Sequence, residues 1–136
     1  MTVLFFLGLA GCSATLPNTT LNITTLIWSD EFNGDTLDIT KWAREVGYGH
    51  DGSGWGNDEW QLYTDSDDNA YLKDGKLVIS ARCDSGECAK RDGSVTSARL
   101  HTSGKFSYKY GKVQARIKPP SGIGTWAAFW QLGDAF

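Results

Sequence analysis

The sequence of 136 residues predicts an all-β fold, a sandwich of curved antiparallel sheets. Apolar and polar side chains alternate along residues 106–110 and again along residues 112–118, and a period of two is typical of strands with one buried face. No stretch sustains the apolar spacing of a helix, because sixteen glycines and the Pro119-Pro120 pair interrupt every candidate. Packing sheet on sheet is the remaining way to bury these apolar faces.

Two further strands are predicted from local signals. Asp74-Gly75 is a turn signal, and the apolar residues Leu77–Ile79 that follow it predict a strand. Residues 126–132 carry apolar side chains on both faces, which is typical of a strand inside a sandwich. Such sandwiches often need roughly 200 to 250 residues to close, so the chain is one domain, whole or incomplete.

The first twelve residues resemble a bacterial export signal. Residues 3–10 form an apolar run, which is too short to span a bilayer and suits the core of such a signal. Leu9-Ala10-Gly11-Cys12 resembles a lipobox, so we expect cleavage before Cys12 and lipidation of its thiol. The first basic residue is Lys41, so the positive segment that precedes an export signal is missing. A hydrophobic N-terminus without a signal function is the alternative.

Residues 13–25 are rich in Ser, Thr and Asn and cannot bury enough apolar surface to fold alone, which is typical of a flexible tether. The expected organisation is a signal over residues 1–12, a tether over residues 13–25 and one domain over residues 26–136. We therefore expect export, either as an outer-membrane lipoprotein or in secreted form, with membrane contact only through the lipid.

The net charge bears on whether the chain binds nucleic acid, and the cysteines bear on whether it contains a disulfide or a zinc site. The net charge is -3 and no Lys/Arg cluster is present, so we expect no nucleic-acid partner. In an exported chain Cys83 and Cys88 can oxidise, and we expect them to form a small-loop disulfide. A zinc site is the alternative, with His50 and His101 as the other available ligands.

Trp126 and Trp130 are candidates for a carbohydrate platform. They fall on one face of the strand predicted over residues 126–132, about 13 Å apart at about 3.3 Å per residue. A pyranose ring offers C–H groups that pack on an indole face while its hydroxyls stay available for polar partners. Burial of both indoles in the core is the alternative.

Arg99 and Asn57 are the polar candidates. Arg99 falls on one face of a predicted strand with Ser97 and His101, and its guanidinium can donate to two sugar hydroxyls at once. Asn57 lies with Glu59 in a glycine-rich turn, where either side chain can bond a hydroxyl. An exposed sheet charge and a turn-forming Asn are the alternatives.

Glycoside hydrolysis needs a pair of carboxyl groups, and we assign no catalytic residue because the sequence offers no such pair.

These segments, taken in order, resemble glycoside hydrolase family sixteen and most closely its laminarinases, the endo-β-1,3-glucanases. The resemblance rests on Trp28-Ser29-Asp30-Glu31-Phe32, Trp55-Gly56-Asn57-Asp58-Glu59, Asn69-Ala70, Lys76-Leu77-Val78-Ile79, Thr96-Ser97-Ala98-Arg99, Gly104-Lys105-Phe106, Tyr110-Gly111-Lys112-Val113 and residues 126–134. It implies a β-jelly roll with a concave glycan cleft and retaining hydrolysis by two Glu on a Glu-x-Asp-x-x-Glu strand. That strand would follow Phe136, so the chain is expected to be the N-terminal part of the enzyme and inactive alone.

The resemblance also implies roles for individual residues. Asn57 and Arg99 would hold sugar hydroxyls, and Trp126 and Trp130 would line subsites. The partner would be a β-glucan polysaccharide with β-1,3 or mixed β-1,3/1,4 linkages, and we expect the protein to be a monomer. A non-catalytic β-glucan-binding protein on the same scaffold is the first alternative, and an enzyme for mixed-linkage glucan or a galactan is the second.

No cofactor is required by the resemblance, but a structural calcium ion is compatible with it. Glu31 and the Gly75 carbonyl would join that calcium site. Ala127 stands where the family usually has Pro and Asp58 where Asn is common, and neither departure removes a predicted contact.

Overall fold

The computed structural model describes residues 25–84, 86, 88 and 91–133. They separate into two compact units, of which the first is Trp28–Ser107 and the second contains residues 25–27 and 108–133. The predicted export signal, the lipid anchor at Cys12 and all of the tether except Thr25 lie outside the described residues. Within the described part of the chain, no helix has the length and apolar character that a membrane crossing needs.

The first unit is built from short strands. In chain order they are β1 (Ala43–Glu45), β2 (Leu62–Tyr63), β3 (Ala70–Leu72), β4 (Leu77–Ile79), β5 (Arg82–Cys83), β6 (Val95–Ser97) and β7 (Arg99–His101). Among the described residues of this unit they form three sheets, with the strand orders β1-β7, β2-β6-β5 and β3-β4. The all-β prediction is confirmed, but one pairing differs from the antiparallel expectation, because β2 and β6 run parallel.

The β3–β4 hairpin follows directly from its turn residues. Asp74 and Gly75 both have positive φ, 51° and 66°, and this combination suits the right-handed twist of the flanking strands. Lys73 and Lys76 close the turn with two backbone hydrogen bonds of 2.9 and 3.0 Å. The predicted turn and the predicted strand Leu77–Ile79 are therefore confirmed.

A buried amide holds the strands of this unit together. Asn69 is 2% exposed and precedes Ala70, which is fully buried. Its Nδ2 donates to the Ser80 carbonyl and to Thr96 Oγ1, each at 3.0 Å, while its Oδ1 accepts from Thr64 Oγ1 at 2.6 Å. A buried amide with all its bonds made fixes the register of its neighbours, since each lost bond would leave an unpaired polar group.

An aromatic cluster packs the start of the unit against its end. Trp28 stacks on Phe106 with ring centroids 5.4 Å apart and meets the edge of Trp42 at 5.5 Å. Asp30 anchors the same segment, because its carboxylate accepts from Trp42 Nε1 at 2.8 Å and from the Phe32 amide at 2.9 Å. The Trp28-to-Phe32 motif is thus a packing element.

The strand predicted through Ser97, Arg99 and His101 is divided in two. β6 ends at Ser97 and pairs with β2 and β5, whereas β7 begins at Arg99 and pairs with β1. Ala98, only 6% exposed, lies between them. The chain changes sheets at this small residue, so the three side chains do not share one continuous strand face.

Three other strand predictions are wrong for the structure described. Residues 106–110, 112–118 and 126–132 form no strand, and their side chains are mostly exposed. A period of two shows which side chains would share a face, but a strand also needs a neighbour that accepts and donates its backbone hydrogen bonds. Within the described residues no neighbouring segment does so for these three stretches.

Cys83 and Cys88 form a disulfide with their Cα atoms 5.9 Å apart, as the sequence leads us to expect. No group of three or more His, Cys, Asp or Glu side chains that could hold a metal is found among the described residues. The zinc alternative therefore finds no support in the part of the chain that is described.

Candidate functional site

A glycine-rich loop, residues 47–59, carries part of the candidate site. The Tyr48 carbonyl accepts two backbone bonds, from Gly54 at 2.8 Å and from Trp55 at 3.1 Å. The Glu59 amide then donates to the Gly54 carbonyl at 3.2 Å. These bonds fold the loop back on itself, so that the residues after Gly54 return to β2.

Trp55 lies at the centre of the loop in a conformation that few side chains adopt, with φ +58°. The backbone of Gly49 passes so close that a Cβ there would lie 3.0 Å from the Trp55 nitrogen. The indole Nε1 donates to the Gly47 carbonyl at 3.4 Å, and the ring centroid lies 6.0 Å from that of Tyr63. The glycines therefore allow the loop to close tightly around one half-buried indole.

Arg99 brings a guanidinium to the same indole. Its Cζ lies 4.6 Å from the centroid of the Trp55 ring, within the range of a cation–π contact. Glu45 on β1 is its direct cross-strand partner in the β1–β7 ladder and accepts from Arg99 Nε. Glu59 Oε1 lies 3.9 Å from Arg99 Nη1. The guanidinium is thereby oriented by two carboxylates and one aromatic face, and it remains partly exposed.

Glu59 connects the loop to the strands through a set of hydrogen bonds. Its Oε2 accepts from the Tyr63 hydroxyl at 2.5 Å and from Gln61 Nε2 at 3.0 Å. Its Oε1 accepts from Asn57 Nδ2 at 3.2 Å. A carboxylate surrounded by this many donors acts as an organiser of the neighbouring side chains.

Tyr63 is the titratable group that this arrangement affects. Burial raises the pKa of its hydroxyl above the ordinary value of 10.0, and the hydrogen bond to the Glu59 carboxylate raises that pKa further. Both causes favour the neutral phenol, because the phenolate would be poorly solvated and would lie beside a negative charge. Tyr63 therefore stays a hydrogen-bond donor to Glu59 at neutral pH.

The structure brings two of the predicted site residues together. Asn57 and Arg99 come from different elements and meet at one carboxylate, that of Glu59. Asn57 is exposed and Arg99 partly so, and both can be reached by a ligand. Sequence reasoning missed Trp55 and Glu45 as members of this cluster. The position of Trp55 among the five glycines of the loop was the available signal for this residue. No sequence signal indicated that Glu45 pairs across the strands with Arg99.

The two other predicted site residues belong to the second unit. Trp126 and Trp130 are 94% and 50% exposed, so neither indole is sealed in a core. Nearby, the Tyr108 hydroxyl donates to Gln131 Oε1. The predicted sharing of one strand face is not observed, since no strand is formed there. Their role in sugar binding stays a prediction.

Both carboxylates of the cluster are engaged by other side chains of the protein. Glu45 and Glu59 lie on either side of Arg99 and accept hydrogen bonds from protein donors. A glycosidase pair must instead face the scissile bond, one group as proton donor and the other toward the anomeric carbon. A binding role for this cluster stays a prediction.

Glu31 and the Gly75 carbonyl are the predicted calcium ligands. A Cβ on Gly75 would lie 3.3 Å from Asn33 Oδ1, so the β3–β4 turn approaches the segment that follows Glu31. Calcium takes six to eight oxygen ligands. The described residues hold no cluster of three acidic or imidazole ligands near one another. A structural calcium ion stays a prediction.

Comparison with known proteins gives the cluster a context. Residues 54–135 match the family described as "Glycosyl hydrolases family 16". The "Glucan endo-1,3-beta-glucosidase A1" of Niallia circulans is 47% identical over 114 residues, which cover 79% of this chain and 17% of that protein. The "Beta-glucanase" of Rhodothermus marinus is 46% identical over 111 residues, covering 80% of this chain and 36% of the relative. The chain thus spans about a third or less of the length of these relatives.

The fold is similar to that of solved structures. The laminarinase catalytic domain from Thermotoga maritima superimposes with a TM-score of 0.53 at 46% identity, over 64% of this chain and 35% of that one. The fold class is therefore the β-jelly roll of these proteins, with sheets that are not closed in the described residues. A relative named "Beta-1,3-glucan-binding protein" from Penaeus monodon is 28% identical over 166 residues, covering 96% of this chain and 44% of the relative.

Proposed function

The chain belongs to family 16 of the glycosyl hydrolases, and from this premise we propose that it is the sugar-binding part of an endo-β-glucanase. The proposed enzyme cleaves internal β-1,3 or β-1,3/1,4 glucosidic bonds of a polysaccharide with retention of configuration. Two relatives named as glucan endo-1,3-beta-glucosidase A1 and beta-glucanase support this substrate class, at 47% and 46% identity.

The observation that carries the proposal is the meeting of Asn57, Trp55 and Arg99 at one partly exposed place. A neutral polysaccharide offers hydroxyl groups and patches of C–H groups, and it offers no charge. An amide, a guanidinium and an indole provide the matching donors, acceptors and apolar surface. Because the single cation Arg99 is paired with two carboxylates, Glu45 and Glu59, the cluster has no excess positive charge to attract an anion, and a neutral ligand suits it.

Catalysis in this proposal depends on residues that follow Phe136. Retaining hydrolysis needs a nucleophilic carboxylate and an acid/base carboxyl about 5 to 5.5 Å apart. We propose that a Glu pair on a strand after Phe136 supplies them, while Trp126 and Trp130 line subsites. On this view the 136-residue chain binds glucan weakly and does not hydrolyse it.

A second candidate function is glucan binding without catalysis. It is favoured by one observation, the 28% identity to a relative named as a beta-1,3-glucan-binding protein that covers 96% of this chain. The gene sequence downstream of Phe136 separates the two functions. A Glu-x-Asp-x-x-Glu strand there supports the hydrolase, and a strand without the paired Glu supports the binding protein.

Titration of the chain with laminarihexaose, followed by NMR shifts of backbone amides, tests the proposed binding. We expect shifts at Trp55, Asn57 and Arg99 that saturate with ligand, and no such shifts with chitohexaose. Hydrolysis of laminarin, lichenan and agarose by a protein extended past Phe136 then tests the linkage. Absence of any shift at these three residues would rule out the proposed site.

We further propose export with a lipid at Cys12, or secretion, and contact with the membrane only through that lipid. The apolar run of residues 3–10 before Leu9-Ala10-Gly11-Cys12 supports this proposal. Metabolic labelling with a radioactive fatty acid tests it, since Cys12→Ser should abolish the label. Label that persists in the Cys12→Ser chain would contradict it.

We also propose that the protein is a monomer, and gel filtration of the unlipidated chain tests this.

A structural calcium ion at Glu31 and the Gly75 carbonyl is also proposed, with further ligands from water or from other residues. The approach of the β3–β4 turn to Asn33 supports it. Calorimetric titration with calcium, on the chain and on Glu31→Gln, tests it. Equal heats for the two chains would exclude a role for Glu31.

A further inference from the structure

The side chain of Arg91, which is not itself part of the glycine-rich loop, contacts that loop at three places. Its Nη2 donates to the Gly52 carbonyl at 2.7 Å, and its Nη1 lies 3.5 Å from Asp58 Oδ1. The guanidinium carbon also lies 5.1 Å from the centroid of the Tyr48 ring. One side chain thus contacts the loop near its beginning, at its middle and close to its end.

The fit between Arg91 and the loop backbone is close. A Cβ at Gly54 would lie 2.6 Å from Arg91 Nη2 and 2.5 Å from the Glu59 nitrogen. Gly54 itself is buried and has a φ of +75°. Because no side chain fits at Gly54, the guanidinium can lie directly against the main chain.

The loop needs such support because its conformation is costly. Trp55 and Asp58 have φ values of +58° and +59°, in the left-handed region that non-glycine residues rarely adopt. Conformations of this kind persist only where surrounding contacts impose them. In the planar fork of Arg91, Nη2 bonds the Gly52 carbonyl while Nη1 faces Asp58, and the single nitrogen of a lysine cannot occupy both positions.

We infer that Arg91 is a positioning residue for glucan binding, acting through the loop that presents Trp55 and Asn57. The inference deepens the proposed function and rests on it for its ligand. Arg91 itself contacts Gly52, Asp58 and Tyr48, none of which is among the proposed sugar contacts. Its effect on the ligand therefore passes through the shape of the loop.

Amide hydrogen exchange of the unliganded chain tests the loop directly. The reporters are the Trp55 and Glu59 amides, which donate to Tyr48 and Gly54 within the loop. In Arg91→Ala we expect their exchange to accelerate by at least about tenfold, while the Ser80 amide in the β3–β4 region keeps its rate. Unchanged exchange rates at the Trp55 and Glu59 amides would overturn the inference, even if the chain binds glucan.

Affinity for laminarihexaose is the second readout. We expect Arg91→Ala to raise Kd by at least about fivefold and Arg91→Lys to restore part of that loss, because a lysine keeps the charge beside Asp58. Arg82→Ala is the matched control, since Arg82 pairs with Asp68 and Asp84 and both of these residues lie outside the loop. Arg91→Ala with faster loop exchange but wild-type Kd would overturn the link to binding.

The two readouts separate failure of the inference from failure of the proposed function. If the wild-type chain shows no binding of laminarihexaose, the proposed function fails while the exchange result still judges the loop. If Arg91→Ala does not fold, Arg91→Lys supplies the comparison, with smaller changes expected in the same directions. Exchange that rises equally at Ser80 and in the loop would show a general structural role and overturn the positioning role.

Discussion

The guanidinium of Arg99 lies over the indole ring of Trp55, and the distance from Arg99 Cζ to the ring centroid is 4.6 Å. Arg99 belongs to strand β7, whereas Trp55 belongs to the glycine-rich loop. The strand side is fixed by the cross-strand pair of Arg99 and Glu45. The loop side is fixed by bonds to the Tyr48 carbonyl. The contact therefore joins a strand residue and a loop residue in one cluster. We expect its loss to weaken ligand binding more than it lowers the stability of the fold.

Arg99→Lys should weaken glucan binding by about tenfold, or about 1.4 kcal/mol. A lysine keeps the positive charge but cannot contact Glu45, Glu59 and the indole face together. Laminarihexaose titration measures the effect, with Arg82→Lys as the control at an exposed ion pair. Equal affinities for Arg99→Lys and the wild-type chain would show that the planar fork has no role.

Asn57→Ala should weaken glucan binding by about fivefold, which corresponds to one lost hydrogen bond of about 1 kcal/mol. The stability of the variant should hardly change, because Asn57 is exposed and, among the described residues, its side-chain amide bonds one atom, Glu59 Oε1 at 3.2 Å. Isothermal titration and thermal melting measure the two quantities. A large fall in melting temperature would instead assign Asn57 a turn-forming role.

Asn69→Ala should destabilise the fold by about 2 to 3 kcal/mol, since three buried hydrogen bonds are lost and their partners remain unpaired. Urea unfolding of the two asparagine variants gives a matched comparison of a buried and an exposed amide. Similar unfolding midpoints for Asn57→Ala and Asn69→Ala would contradict the roles drawn from their burial.

The sequence predicted the parts of this molecule that local chemistry determines. Asp74-Gly75 specifies a tight turn because both positions must accept positive φ, and the strand Leu77–Ile79 follows from it. The pairing of Cys83 with Cys88 follows from their short separation. In these cases the residues that decide the structure are neighbours in the chain.

The sequence did not predict what depends on distant partners. Residues 112–118 alternate like a strand, but no segment among the described residues pairs with them. The division at Ala98 arises because β6 and β7 pair with different strands, which alternation cannot reveal. Asn57 and Arg99 were found as single candidates, whereas their meeting at Glu59 required the fold.

Removal of the disulfide should lower the free energy of unfolding by about 2 kcal/mol. The bridge joins residues only five positions apart, and closing so small a ring restricts the unfolded chain modestly. Urea unfolding of Cys83→Ser/Cys88→Ser against the oxidised chain measures the loss. Reductant should shift the wild-type midpoint toward that of the double variant and leave the double variant unchanged. A shift of the double variant would point to another cause.

Alkaline pH should destabilise the wild-type chain more than Tyr63→Phe. Burial and the Glu59 carboxylate raise the pKa of Tyr63 above 10.0 in the folded chain. Above about pH 10 the unfolded chain therefore releases this proton while the folded chain keeps it, and unfolding becomes easier as pH rises. The stability that Tyr63 contributes is fully present below pH 10 and is lost as the pH rises through the folded pKa.

Urea midpoints of both chains between about pH 8 and pH 11 measure the difference, with absorbance at 295 nm reporting the phenolate. A wild-type minus Tyr63→Phe difference that is constant or grows over this range would contradict the buried, carboxylate-facing hydroxyl.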